Sequence, residues 1–373
     1  MKKLGLIILG LGLTLQLFAQ NYKTENVVIV TLDGLRWQEV YRGADSALIN
    51  SKYTDDKAAV QKQFWAGSAD ERRKMLFPFL WTTIARKGQL YGNRDEGSKD
   101  EVANRYYFSY PGYNELFTGF ADPRMNTNNA VTNPNVNLLE FLNKQRGFEN
   151  KVAVFASWER FTQILNTQRS GLLVNAGYMN LQAPAMNDRL KFLNEMQHKA
   201  PHYLGDSTRI DFLTYEFARE YLKQYQPRVL YIALDETDEF GHAGNYHFYL
   251  DRASQEDAYI QQLWEYLQSN PVYKDKTTLI VTCDHGRGDE VATWRNHGIF
   301  IAPHSEQTWF AVIGPDTPPL GEMGSGQTTY HKQLAQTISK LLGVDFKAAV
   351  GHEVGEPINS VTRLPMPMVL VSK

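Results

Sequence analysis

Three segments of β-favouring residues in this sequence end in carboxylates or imidazoles. Asp33 follows the first segment, Asp238 stands shortly after the second, and the adjacent pair Asp284-His285 follows the third. His242 comes four residues after Asp238, and two side chains at that spacing on a helical turn can reach one ion. If the segments are parallel strands of one sheet, their carboxyl ends share an edge. The pattern therefore predicts one site built from three strand ends.

These residues form a candidate ligand set for metal ions. It contains three carboxylates and three imidazoles, namely Asp33, Asp238, His242, Asp284, His285 and His297. Such a mixture of oxygen and nitrogen ligands suits Zn or Mn and disfavours Ca and iron–sulfur chemistry. Six ligands are too many for one catalytic zinc ion with an open position. Two divalent ions about 3.5–4 Å apart account for the set and can clamp the attacking and leaving oxygens of a phosphoryl transfer.

A nucleophile for this chemistry is available at Ser109. The serine stands just before Pro111-Gly112 and the expected start of a helix, where backbone N–H groups can face an anion. The alternative is that Ser109 only caps that helix. Spacing alone leaves both interpretations open.

The elements that must position these residues alternate between strands and helices. Strands are predicted at 26–32, 89–92, 151–156, 228–234, 279–283 and 309–313, and helices at 70–87, 136–145, 211–224, 248–267 and 330–342. This alternation favours an α/β fold with a doubly wound, mostly parallel central sheet flanked by helices. No clean strand pattern occurs from 161 to about 210, where we expect a small cap-like excursion over the active face.

Composition and the N-terminus indicate an exported globular protein. Met1-Lys2-Lys3, a short apolar run and Ala19 form the pattern of a signal peptide at 1–19, because a membrane-spanning helix takes about 20 apolar residues. We expect residues 20–373 to be periplasmic or secreted, with no membrane span after cleavage; an uncleaved N-terminal anchor is the alternative. A net charge of -2 without long single-sign runs makes a nucleic acid polymer an unexpected partner.

Five short motifs resemble those of the alkaline phosphatase superfamily, and their order and spacing are closest to its nucleotide pyrophosphatase/phosphodiesterase branch. They are Thr31-Leu-Asp-Gly-Leu-Arg36, Ser109-Tyr-Pro with Thr118-Gly119, Asp238-x-x-Gly-His242, Val281-Thr-Cys-Asp-His-Gly286, and His297-Gly298 followed by Trp309 to Pro315. The resemblance spans about 27–343 and implies an alkaline phosphatase-like metallohydrolase domain over 20–373. It implies hydrolysis of a small phosphate mono- or diester through a covalent phosphoseryl intermediate.

The resemblance also divides the ligands between two metal ions. One ion would be held by Asp238, His242 and His297. The other would be held by Asp33, Asp284, His285 and Ser109. In this scheme Ser109 is the nucleophile, and the second ion displaces its proton, so that no separate general base is needed.

The sequence departs from the phosphodiesterase pattern around the nucleophile. That branch has Thr-Phe-Pro-Asn where this chain has Ser109-Tyr-Pro-Gly112, and a serine nucleophile is typical of the monoesterases. Asn128 and Asn129 are candidates for the residue that binds a phosphoryl oxygen. Arg160 resembles the phosphate-binding arginine of some monoesterases, or else it forms a surface salt bridge at a strand end. Monoester and diester substrates therefore both stay open.

Three other functions are alternatives. A sulfatase would need Cys or Ser in a Cys/Ser-x-Pro-x-Arg setting, and Tyr113 stands where the arginine belongs. A phosphomutase-type member would share the metal ligands, but such enzymes act in the cytosol, which the export signal disfavours. A catalytically inactive binding protein on this fold is the third. His331 is a weaker alternative to His297 as a ligand.

Overall fold

A computed structural model of the chain describes residues 22–324, 326 and 328–362. Its strands are β1 (Asn26–Leu32), β2 (Gln89–Tyr91), β3 (Asp100–Glu101), β4 (Val152–Ala156), β5 (Leu173–Ala176), β6 (Val229–Leu234), β7 (Thr277–Thr282), β8 (Gln307–Thr308), β9 (Phe310–Ile313), β10 (Gly321–Glu322) and β11 (Thr329–Tyr330). Eight of them form a central sheet in the order β10-β2-β9-β7-β1-β6-β4-β5, and β11-β3-β8 form a small second sheet. The predicted signal peptide at 1–19 lies outside the described residues.

Strand β1 lies in the middle of the central sheet, parallel to β7 on one side and to β6 on the other. All residues of these three strands are buried, which explains their unbroken runs of β-favouring residues. The register places Leu32 beside Leu234, and Thr31 beside Thr282. The carboxyl ends of the three strands therefore lie next to one another. Strand β9 runs antiparallel to both β7 and β2, so the sheet is mostly parallel.

Helices cover both faces of the central sheet. They are α1 (Trp37–Arg42), α2 (Ser46–Ile49), α3 (Lys57–Phe64), α4 (Ala69–Leu76), α5 (Ala85–Lys87), α6 (Ser109–Thr118), α7 (Leu138–Asn143), α8 (Phe161–Ile164), α9 (Thr167–Ser170), α10 (Asp188–Gln197), α11 (Asp211–Tyr225), α12 (Glu236–Ala243), α13 (Tyr246–Ser269), α14 (Leu334–Leu341) and α15 (Phe346–Ala349). Shorter helical turns are a π-helix at Leu80–Ile84 and 3₁₀ turns at Arg94–Glu96 and His331–Gln333. Within the described ranges, no helix combines the length and apolarity needed to cross a bilayer.

The two faces of β1 contribute to two separate hydrophobic cores. Val28 and Val30 pack into a core that includes residues of α11 and α13. Val27 and Ile29 pack into the opposite core, with residues of α6, α7 and α14. Because successive strand residues face opposite sides of a sheet, this division requires a helical layer on each face. The predicted fold class, a doubly wound α/β sheet flanked by helices, is confirmed.

The predicted helix at 70–87 is interrupted. Helix α4 ends at Leu76, and the π-helix begins at Leu80. Pro78 explains the break, because proline lacks an N–H and disfavours a helical conformation at the preceding residue. The freed N–H groups of Phe79 and Leu80 donate to the Asp257 carboxylate over 2.7 and 3.0 Å.

The segment at 161–210 contains a strand that has no clear sequence pattern. Strand β5 pairs in parallel with β4 at the edge of the sheet. Leu173 and Val174 of β5 are only half-buried, so the continuous apolar run of an interior strand is not required there. A cap-like role for the rest of this segment stays a prediction, as does the single-domain assignment of 20–373.

Candidate active site

Hydrogen bonds join the ends of β1 and β7 to the helix that follows β6. Asp33 directly follows β1, and its backbone carbonyl accepts a hydrogen bond from the Thr237 hydroxyl in α12 over 2.7 Å. The Gly34 N–H donates to Oδ1 of Asp284, just after β7, over 3.1 Å. Asp33 and Asp284 are both completely buried. The expected convergence of strand-end carboxylates therefore takes place inside the protein, where charge is costly.

Four atoms that could bind a metal ion lie close together beside the N-terminus of α6. His285 Nε2 lies 3.2 Å from Ser109 Oγ, 3.4 Å from Asp33 Oδ1 and 3.4 Å from Asp284 Oδ2. Ligand atoms of a tetrahedral zinc ion lie about 3.3–3.6 Å apart when the metal–ligand bonds are about 2.0–2.2 Å long. The three distances from His285 Nε2 are close to that spacing, so His285 could share a metal ion with each of these atoms. We call Ser109, Asp33, Asp284 and His285 the nucleophile cluster.

The hydrogen bonds of the nucleophile cluster do not balance the negative charge of its two carboxylates. His285 Nδ1 lies 2.8 Å from the Gly286 carbonyl, which can only accept, so Nδ1 donates to it and, in the neutral ring, Nε2 keeps the lone pair that a metal ion needs. Asp33 Oδ1 and Asp284 Oδ2 are buried without a hydrogen-bond partner among the described residues. Burial raises the pKa of Asp33 well above its usual range and, with the Asp33 charge, that of Asp284 to about 8. A divalent cation would balance these groups, so the residues fit a metal ion.

Helix α6 approaches the end of β7 closely enough to bring Ser109 into this cluster. A Cβ on Gly112 would lie 2.3 Å from the Asp284 carbonyl oxygen, so a larger residue would push the helix away. Tyr113, which is buried on the same helix, donates from its hydroxyl to Asp33 Oδ2 over 2.8 Å. Gly112 and Tyr113 therefore position the candidate nucleophile and a candidate ligand.

A second group of potential metal ligands consists of Asp238, His242 and His297, and we call it the second donor cluster. It adjoins the nucleophile cluster, which is the first donor cluster. Asp238 Oδ2 lies 3.1 Å from His242 Nε2, and the Nε2 atoms of His242 and His297 are 2.9 Å apart. Asp33, Asp238 and His285 also present donor atoms within 4.8 Å of one another, so the two clusters meet at Asp238. Burial and then the charge of His285 lower the pKa of His297 well below its usual range. A neutral imidazole is the form that binds a metal.

Arg287 contacts the second donor cluster, and sequence reasoning missed it. Its Nη1 donates to Asp238 Oδ1, and its Nε donates to the Trp294 carbonyl over 3.0 Å. A Cβ on Gly34 would lie 2.9 Å from Nη1, and one on Gly241 would lie 2.6 Å from Cζ, so two glycines make room for this buried cation. Burial opposes the ionisation of Asp238, but Arg287 and the nearby imidazoles outweigh it and hold the pKa of that carboxyl well below its usual range.

Comparison with known proteins identifies the family and the fold of this chain. The sequence model described as type I phosphodiesterase / nucleotide pyrophosphatase matches residues 44–341, well over half of the chain. The chain belongs to this family. Asp33 precedes the matched range, whereas the other candidate ligands lie within it. No protein among the curated sequences matches the chain.

Solved structures of the alkaline phosphatase superfamily share the fold of this phosphodiesterase family member. The lipoteichoic acid synthase LtaP from Listeria monocytogenes is 11% identical, with a TM-score of 0.57 over 91% of this chain and 76% of that chain. The alkaline phosphatase PafA is 11% identical, with a TM-score of 0.56 over 92% and 99%. The phosphonate monoester hydrolase from Silicibacter pomeroyi is 14% identical, with a TM-score of 0.55 over 92% and 78%. These identities show the fold alone. The superfamily is metal-dependent, and this chain has two overlapping groups that could hold metal, one formed by Asp238, His242 and His297 and the other by Asp33, Asp238 and His285.

Of the two candidate asparagines, Asn128 contacts the residue next to the nucleophile. Its Oδ1 accepts the N–H of Tyr110, the residue after Ser109, over 2.9 Å, and Asn128 lines a cavity together with His297. Asn129 is exposed. Asn128 is therefore the better placed of the two to contact a phosphoryl group, and that role stays a prediction.

Arg160 and His331 have partners outside the donor clusters. Arg160 forms an ion pair with Glu159 at 3.5 Å at the start of α8, which is the contact that a purely structural role requires. Its phosphate-binding role stays a prediction. His331 Nε2 lies 2.9 Å from Asp100 Oδ2, and His331 belongs to neither donor cluster.

Proposed function

We propose that this phosphodiesterase family member is an exported hydrolase that cleaves small phosphate mono- or diesters with two divalent metal ions and Ser109 as nucleophile. The position of Ser109 Oγ, 3.2 Å from His285 Nε2 and beside two unpartnered carboxylate oxygens, carries the proposal. Ser109 is the first residue of α6, and the capping position before it belongs to Phe108. This placement favours a nucleophile over a helix cap.

The proposed ligands divide as the two donor clusters do. Asp238, His242 and His297 would hold one ion, and Asp33, Asp284, His285 and Ser109 would hold the other. Zinc is the expected metal, with manganese as the second choice, because the donors are nitrogen and oxygen atoms. When bound, such a pair supplies Lewis acidity at the attacking and leaving oxygens.

The residues of the chain supply the nucleophile and its orientation. Ser109 Oγ releases its proton and forms a bond to phosphorus while the bond between phosphorus and the alcohol oxygen breaks. The alcohol oxygen takes up a proton, which yields phosphorylated Ser109 and the free alcohol. Water then attacks phosphorus, and the serine hydroxyl is restored together with the phosphate product. Tyr113 holds Asp33 and the Gly286 carbonyl holds His285 throughout, so little reorganisation accompanies the reaction.

Hydrolysis assays on residues 20–373 test the proposal. With zinc or manganese the protein is expected to hydrolyse p-nitrophenyl phosphate, bis-p-nitrophenyl phosphate or both, and Ser109→Ala is expected to lose on the order of 10³-fold or more in rate. No hydrolysis of either ester, or an unchanged rate in Ser109→Ala, would refute it. The ratio of the two rates with Zn, Mn and Ca assigns the monoester or diester preference, since about 1.4 kcal/mol of transition-state stabilisation is a tenfold difference.

The metal content of the protein and the cleavage of its signal peptide have separate tests. Elemental analysis of zinc-loaded protein is expected to find two ions per chain, and fewer than one would support a binding protein that has lost the chemistry.

Export is proposed from the signal-like sequence at 1–19. N-terminal sequencing of the secreted or periplasmic protein is expected to begin at Gln20, whereas an intact Met1 would indicate an uncleaved anchor.

A further inference from the structure

A cavity of about 590 Å³ adjoins the second donor cluster. Its polar lining residues are Asn126, Thr127, Asn128, His242, Asn296 and His297. Its volume falls within the range of small-molecule sites, which is about 300–1,000 Å³. The cavity therefore touches the candidate site on the side of His242 and His297.

The other residues that line the cavity are mostly apolar. Tyr106 and Phe108, whose ring centroids are 5.9 Å apart, form one wall just before Ser109. Residues 299–301, with the sequence Ile-Phe-Ile, form the other. Apolar and aromatic side chains of this kind can cover the hydrocarbon part of a small ligand.

The second wall is a short, hydrogen-bonded turn that keeps apolar side chains in water. The N–H groups of Ile301 and Ala302 donate to the Gly298 carbonyl over 3.1 and 2.9 Å, and Gly298 has a φ of +100° that starts the turn directly after His297. Phe300 is 96% exposed and Ile301 is 63% exposed. Exposed apolar side chains beside a polar site are typical of a ligand-binding surface.

The direction of the reaction decides which part of a substrate reaches this cavity. In phosphoryl transfer, the attacking and leaving oxygens lie roughly in line on opposite sides of phosphorus. Ser109 Oγ lies against His285, and the His285 and His297 ring centroids are 4.1 Å apart. An oxygen that departs away from Ser109 therefore comes to His297 and His242, which line the cavity.

We infer that this cavity binds the hydrocarbon part of the leaving alcohol, so that the substrate class is phosphate esters of apolar alcohols. The inference rests on the proposed function and adds a specificity surface formed by Tyr106, Phe108 and the turn at 299–301. Hydrocarbon that enters the cavity covers Phe300 and Ile301 and removes apolar surface from water. Longer leaving groups are therefore better substrates.

Two series of n-alkyl esters, from methyl to octyl, test the inference below the concentration at which the esters aggregate. The first contains alkyl phosphates and the second contains methyl alkyl phosphates, and the alcohols within a series differ little in chemical reactivity. We expect kcat/KM to rise by about two- to fourfold per added methylene until the cavity is filled. In the double variant Phe300→Ser/Ile301→Ser this factor falls toward one.

Leu320→Ser is the matched control, because Leu320 is 57% exposed and lies outside the cavity; its chain-length dependence should equal that of the unmodified protein. A flat profile with measurable turnover overturns the inference and leaves the proposed function standing. Release of methanol from the mixed diesters, with the alkyl group retained on phosphorus, also overturns it. A rate that rises only once the ester forms micelles overturns it in favour of a lipid surface. If no ester is hydrolysed, the proposed function fails as well.

Discussion

Replacing Tyr113 with phenylalanine tests how the protein orients the metal ligand Asp33. Both side chains are completely buried, and the Tyr113 hydroxyl donates to Asp33 Oδ2 over 2.8 Å. A hydrogen bond to a charged group contributes about 1.5–3 kcal/mol. Since 1.4 kcal/mol is a factor of ten, Tyr113→Phe should weaken zinc binding at the nucleophile cluster by about 10- to 100-fold. Binding at Asp238, His242 and His297 should change little, because Tyr113 does not contact them.

The assay is competition for zinc between the metal-free protein and a chromogenic chelator, resolved into two binding steps. Tyr231→Phe is the matched control, because Tyr231 is equally buried and its hydroxyl hydrogen-bonds to Thr31 Oγ1 over 2.8 Å instead of to a candidate ligand. The two variants lose the same atom from the same kind of environment. Equal weakening in both variants, or unchanged zinc binding in Tyr113→Phe, would refute the assigned role of Tyr113.

Three further predictions concern other residues. Arg287→Met leaves the Asp238 carboxylate without its buried cation and should lower the free energy of unfolding of the metal-free protein by about 3–5 kcal/mol, measured in urea. Zinc should restore part of this loss. Equal losses with and without zinc would contradict this reason. Burial raises the pKa of Asp257 from 3.8 to about 7, so the folded state retains a proton that the unfolded chain releases. The free energy of unfolding should therefore fall as pH rises from about 4 to 7. Asp257→Asn should lose this pH dependence, and an unchanged pH dependence would exclude Asp257 as its source. His297→Ala should reduce kcat/KM at least about tenfold more for alkyl than for nitrophenyl esters, and equal losses would contradict a leaving-group role.

The central strands and the convergence of the site could be predicted because both follow from burial. Strands β1, β6 and β7 are buried on both faces and therefore appear as continuous runs in the sequence. Their parallel register then brings Asp33 and Asp284 together without further information. The continuous helix predicted at 70–87 was wrong, although Pro78 was a local signal for the break, since proline cannot continue a helix without loss of a hydrogen bond.

Other features depend on three-dimensional contacts that leave no local pattern. Arg287 follows the predicted His285-Gly286 pair directly, yet its contact with Asp238 depends on the space beside Gly34 and Gly241, which are distant in sequence. Strand β5 is a half-buried edge strand and lacks the run that marks β1. The choice between Asn128 and Asn129 depended on which side chain reaches the Tyr110 N–H.

The most direct test of the central claim is peptide mass spectrometry of protein quenched in acid during turnover of a phosphate ester. If Ser109 is the nucleophile, the peptide that contains it should carry one phosphoryl group, and the Ser109→Ala protein should carry none on any peptide. Turnover of the ester with no phosphoryl group on Ser109, or a phosphorylated peptide that persists in Ser109→Ala, would contradict the claim.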